Sequence, residues 1–146
     1  MKLPAAGMSL DTDQLVFYLR QGYSIDDLAC KSTFPSLPGF LNDMLGRKKI
    51  SVEVASGLAD INTATTYKIM KKQIAPSRNL LLRLAFALEM SFEETQILLK
   101  CGNTASLSAS RKRDQYIMEG IIKKNNFDDV NTVLAEHGLP TLYSKG

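Results

Sequence analysis

Apolar residues recur along this chain at helical spacing, and no stretch alternates apolar with polar as a strand would. In "DTDQLVFYLRQGYS", Leu15, Val16 and Leu19 fall at helical positions, with acids before them and Gly22 after. A shorter helix is predicted after Ser24, where Asp26 and Asp27 suit the positive end of a helix dipole. "STFPSLPG" then reads as a linker on its two prolines and glycine. From Pro38 the segments crowd together. Phe40, Leu41, Met44 and Leu45 share one helical face that ends near Lys49. Ser51 caps a helix to about Ala59, Asn62 one through about Lys71, and Ser77 one carrying Leu80, Leu81, Leu84, Ala85 and Leu88. "SFEETQILLK" opens with a capping box of Ser91 and Glu94. Beyond the loop "CGNTASLSAS", two more helices are marked by Ile117, Ile121 and Ile122, and by Phe127, Val130, Val133 and Leu134. The fold class predicted is all-α.

The chain also repeats itself. "SFEETQILLKCGNTASLSAS" and "NFDDVNTVLAEHGLPTLYS" superpose at an offset of 35, pairing Phe92 with Phe127, Leu99 with Leu134 and Leu107 with Leu142. Cap grammar explains the helix starts but makes no demand at Leu107 and Leu142, which favours a true duplication. Phe127, Val130, Leu134 and Leu142 are then expected to be buried. The organisation predicted is an N-terminal helical extension and linker over 1–37, a five-helix core over 38–102, and a C-terminal helical appendage over 103–146.

The 146 residues suffice for one domain with a core, and 45% hydrophobic with 23% charged residues is ordinary for a globular chain. The net charge of +3 is modest, but its distribution is not even. Residues 40–78 carry seven Lys and Arg against three acids, whereas residues 79–146 carry eight of each sign. Cys30 and Cys101 lie far apart and outside any paired-ligand spacing, which points to a reducing cytoplasm and to no disulfide framework or metal site. No apolar run approaches the ~20 residues of a membrane span, and "MKLPAAGM" lacks a signal-peptide core, with Met8 a second candidate start. The single His137 reads as a helix C-terminal residue before Gly138. One histidine without a nearby cysteine offers no catalytic pair, and the scattered glycines form no phosphate loop, so neither an enzyme nor a cofactor is expected.

The segments "ISVEVASGL", "ADIN", "TATTYKIMKK", "APSRNLLLRLAFAL" and "MSFEETQILL" together resemble the lambda-repressor-like helix-turn-helix family, often called the XRE type, over about residues 38–100. That resemblance implies a fold in which a short helix, held at its start by a tight turn, lies in the major groove of duplex DNA. Such a helix brings small polar residues to base edges and neighbouring lysines to phosphates. Carried over by position, Thr63, Ala64, Thr65 and Lys68 would face the groove, Lys49, Ser51, Lys71 and Lys72 would flank it where backbone contacts are expected, and the cap Asn62 counts among the DNA-binding residues. Since one such helix covers a half-site, a homodimer is expected. A narrower resemblance, carried by "ILLKCG", "RKRD", "VLAEHGLPTLY" and Tyr67, is to small helical regulators of Gram-positive bacteria and extends to about residue 143.

The departures from the family pattern are specific. Val52 stands where a glutamine is usual, Ser56 where a small alanine is, Asp60 where the turn glycine is, and Thr66 where an apolar residue is. No Arg, Gln or Asn occupies a position for a bidentate base contact. Two functions therefore remain open: a transcriptional regulator binding duplex DNA, and a protein-interaction scaffold for a signalling partner on which the DNA surface has lapsed. If the helix from Thr63 reads DNA, Thr63, Thr65 and Lys68 should be exposed and Ile61, Tyr67 and Ile69 at least partly inside. The scaffold instead allows Phe17, Tyr23, Leu139 or Tyr143 to lie across that face. The three cations of "RKRD" read either as a helix start with no partner or as a contact for phosphate or an acidic surface.

Overall fold

A computed structural model describes residues 12–22, 24 and 36–144. Over those residues the chain is all-α, with eight helices and no strand. They are α1 (Thr12–Arg20), α2 (Leu37–Lys48), α3 (Val52–Leu58), α4 (Thr63–Met70), α5 (Arg78–Ala87), α6 (Phe92–Cys101), α7 (Lys112–Ile122) and α8 (Phe127–Glu136). The helix expected after Ser24, together with Tyr23 and Cys30, lies outside the described residues.

The capping residues act as their chemistry requires. Ser51, Asn62 and Ser77 each accept a backbone N–H of the helix they precede, and Ser91 and Glu94 form the reciprocal box. Two elements depart from expectation. Helix α2 begins at Leu37, inside the stretch read as linker, because Ser36 caps it and Pro38 sits in the first turn, where its missing N–H costs nothing. Helix α1 buries Phe17 and Tyr18 and leaves Val16 and Leu19 largely exposed. The two rings meet edge-on, and Phe17 also reaches Phe40 of α2 at 6.1 Å.

One hydrophobic cluster runs through the described chain. Helix α2 packs on α4 and α6, α3 on α4 and α5, and α1 on α6. Helices α7 and α8 pack on each other and join the same core through α6 and α5. Phe127, Val130, Leu134 and Leu142 are all buried, as expected, whereas Ile122 is exposed.

The duplication is larger than the sequence suggested, and polar groups carry it. Helices α6 and α8 have bounds 35 residues apart, and so do the turns before them. Met90 N donates to Ala85 O and Asn125 N to Gly120 O, each at 2.9 Å. Leu107 N donates to Gln96 Oε1 and Leu142 N to Asn131 Oδ1, each at 2.7 Å. Arg78 donates to the carbonyls of Ala105 and Ser106, and Arg113 to those of Pro140 and Thr141. Each of these pairs is offset by 35. The repeated unit is therefore a whole hairpin, α5–α6 followed by α7–α8.

The two hairpins hold each other reciprocally. Arg78 makes a bidentate contact to Asp114 at 2.9 and 3.1 Å, while Arg113 donates to Asn79 at 2.8 Å. Asn79 and Asp114 are themselves equivalent, so each arginine reaches across to the other hairpin. Asp114 is buried and also accepts from Arg111 and from Ser108 N. Arg113 is crowded: burial and the neighbouring Arg78 lower its pKa, and Asp114 opposes them. With Lys112 over the Tyr116 ring, the cations of "RKRD" all have partners within the fold. The contact with an outside acid is not needed to account for them.

Removing Asp114 strips the shared acceptor from two arginines. We expect Asp114→Ala to cost about 3–5 kcal/mol, and Arg111→Ala, whose side chain is half exposed, less than about 1 kcal/mol. Urea unfolding followed by circular dichroism measures both. A chain ended after Gly102 loses α7 and α8 and bares the inner faces of α5 and α6. It should aggregate or change its association state on size exclusion.

Candidate nucleic-acid interface

Helix α3 ends in a compact turn built from its own backbone. Ala59 caps it, Asp60 adopts φ 55°, and Asp60 N and Ile61 N donate to Gly57 O and Ser56 O. Two such bonds closing around a left-handed residue form a Schellman motif, with Ile61 as its buried apolar contact. Asp60 thus takes the backbone position expected of a glycine, a conformation aspartate tolerates better than most residues. Asn62 follows at once and caps α4 through Ala64 N at 2.9 Å. Helix α4 closes in the same manner, with Lys72 at φ 59°. Lys49, just past α2, is left-handed too.

The crossing of α3 and α4 contains a polar pair. Ser56 donates to the Val52 carbonyl at 2.7 Å and stands 2.7 Å from the hydroxyl of Thr66, which is only 2% exposed. These are two of the positions at which the sequence departs from the helix-turn-helix pattern it resembles. Each buried hydroxyl has the other as neighbour, so the departures compensate.

The outer side of α4 carries Ala64, Lys68, Lys71 and Lys72, all exposed as expected for Lys68, whereas Thr63 and Thr65, also expected to be exposed, are half-buried beside them. Ile61 and Ile69 are inside. Tyr67, expected at least partly inside, is 40% exposed and gives its hydroxyl to Glu53 at 2.9 Å. That bond is the main cause raising the Tyr67 pKa. Ser51 and Asn62 spend their side-chain acceptors on capping.

The charges divide in an informative way. Arg20, Arg47, Lys48, Arg78, Arg111 and Lys123 each have a carboxylate partner within 4 Å. Among the described residues, five lysines have no ion pair, hydrogen-bond or aromatic partner through their ammonium groups: Lys124 after α7, and Lys49, Lys68, Lys71 and Lys72, which fall within 24 residues of one another. Nor does any described element lie across α4. Phe17 is committed to α2 and α6, and Tyr143 reaches only the turn, at Asp60.

Other chemistry is sparse. Among the described residues no group of His, Cys, Asp and Glu could hold a metal ion, and no helix is long and apolar enough to cross a membrane. Burial pushes the Cys101 thiol up, so it is held protonated. His137 faces its own helix, with Nδ1 2.9 Å from Val133 O, and stacks near Tyr116. A cleft of about 580 Å3 lies between the equivalent turns ahead of α6 and α8, walled by Phe86, Met90, Ile121 and Ile122 among others. No protein-family model, curated protein or solved structure matches the chain.

The hydroxyl pair makes a quantitative demand. Ser56→Ala leaves the Thr66 hydroxyl buried without its neighbour and should cost about 1–3 kcal/mol. In Thr66→Val, Ser56 keeps its bond to Val52, so the loss should stay near 1 kcal/mol or below. The double variant should be more stable than Ser56→Ala alone, giving a coupling of about 1 kcal/mol in a urea double-mutant cycle. Strictly additive effects would show that the hydroxyls act independently.

Proposed function

We propose that this chain is a transcriptional regulator that binds duplex DNA through α3, the turn at Asp60 and α4. In this reading α2–α6 form a five-helix core of the lambda-repressor-like, helix-turn-helix type, and α4 enters the major groove. Two chains bind as a dimer, since one such helix spans a half-site. The observation that carries the reading is the set of unpartnered lysines. Among the described residues Lys49, Lys68, Lys71 and Lys72 stay without carboxylates, and the stretch from Lys49 to Lys72 holds no cation that has one, whereas six cations elsewhere do. Unpaired cations on and just after a short helix with no described element across it suit a phosphate backbone.

The same face predicts weak sequence discrimination. Thr63, Ala64 and Thr65 offer hydroxyls and methyls, without the bidentate contacts worth about 1–3 kcal/mol each. Affinity should therefore come mostly from phosphates. A second reading, a helical scaffold for a signalling protein, is favoured by Val54 and Leu58, 53% and 52% exposed one turn apart on α3.

Titrating a labelled random duplex by fluorescence anisotropy at about 50 and about 200 mM salt separates the two. Four phosphate contacts give a slope of log K against log salt of roughly −3.6. Changing Lys68, Lys71 and Lys72 together to Ala should flatten that slope by about 0.9 for each phosphate that the variant no longer meets. Absence of duplex binding at low salt favours the scaffold, and an unchanged slope in the triple variant moves the contacts elsewhere.

A further inference from the structure

Residues 50–77 contain only two acids, Glu53 and Asp60, and both lie in the α3–α4 unit. Each is held by a tyrosine hydroxyl. Tyr67 spans the Glu53 carboxylate, donating at 2.9 Å to one oxygen and standing 3.2 Å from the other. Tyr143 donates to Asp60 Oδ2 at 2.8 Å. The second contact crosses the molecule, because Tyr143 belongs to the loop after α8. Its ring is fixed from that side by Phe127 at 5.8 Å, edge-on, and by the Arg83 guanidinium at 5.0 Å. Leu142, the residue before it, is held by Asn131.

Asp60 lies two residues before the N-cap of α4, near the positive end of the helix dipole. Glu53 is in the first turn of α3, two residues after Ser51. A phosphate approaching either helix start meets these carboxylates as like charges. We propose that Tyr67 and Tyr143 are positioning residues of the DNA-binding surface, each holding one of its two carboxylates away from the phosphate path. The proposal deepens the DNA-binding reading and rests on it. Both phenols have raised pKa values: Tyr67 chiefly through its bond to Glu53, Tyr143 through burial and then through Asp60. They remain protonated donors at neutral pH. The second clasp makes the C-terminal repeat a contributor to this surface.

A freed carboxylate about 8 Å from a phosphate in water costs about two- to threefold in affinity. The full chain is titrated against the labelled random duplex with Tyr67→Phe, Tyr143→Phe and both. Because the clasped carboxylates are charged too, that factor is the upper bound: we expect up to about threefold weaker binding for each and up to about ninefold for the pair, with effects that shrink as salt is raised. Glu53→Gln should gain more affinity in Tyr67→Phe than in the parent chain, and Asp60→Asn more in Tyr143→Phe, because the charge matters most once unclasped. Parent-like binding by both phenylalanine variants overturns the proposal while leaving DNA binding standing. A loss that tracks a lowered Tm, ignores salt and is not relieved by the amides also overturns it, since that is a structural role. A parent chain that binds no duplex overturns the DNA-binding reading, and this proposal with it.

Discussion

Asp114 is the acceptor on which the second half of the molecule is hung. A buried carboxylate is tolerated only when its lone pairs are filled, and here Arg78, Arg111 and the Ser108 amide fill them. Because Arg78 opens α5 and Asp114 lies in the first turn of α7, satisfying that one group fixes how the two hairpins meet. Arg113 to Asn79 repeats the clasp in the opposite sense. The apolar faces of α5, α6, α7 and α8 then close over a shared interior. Gly120 belongs to the same constraint: a Cβ there would stand 2.3 Å from Val130 Cγ2, so α7 meets α8 too closely for any side chain.

Most helices were legible because their starts are written in single residues. Ser51, Asn62, Ser77 and Ser91 announce caps, and each caps as expected. The start of α2 was obscured because Pro38 reads as a breaker unless Ser36 is recognised as the cap before it. The extent of the duplication was hidden for a different reason. "SRNLLLRLAFALEM" and "KRDQYIMEGIIKKN" share an arginine followed by Asn or Asp, but little of their apolar pattern. The signal was polar, and its arginine contacts lie 27 to 36 residues apart in the chain.

The candidate interface was legible in its cations and not in its constraints. Lys68, Lys71 and Lys72 follow from position on a helix whose other side holds Ile69. That Ser56 and Thr66 answer each other could not be read from either residue alone, since the pairing exists only where α3 crosses α4. The same holds for Tyr67, whose ring suggested an inward anchor but whose hydroxyl is drawn out by Glu53.

The two repeats are not equally well fastened. Gln96 holds Leu107 by both backbone groups, accepting its N–H and donating to its carbonyl at 3.0 Å. Asn131, one methylene shorter, accepts from Leu142, and its buried Nδ2 has no partner among the described residues. An unpaired buried amide raises the energy of the closed loop, so the segment around Leu142 opens at a lower free energy than its counterpart around Leu107. Its amides are therefore expected to exchange with solvent sooner, that of Tyr143, the next residue, among them. Through the bond from Tyr143 to Asp60, an opening of this loop would also release the turn ahead of α4.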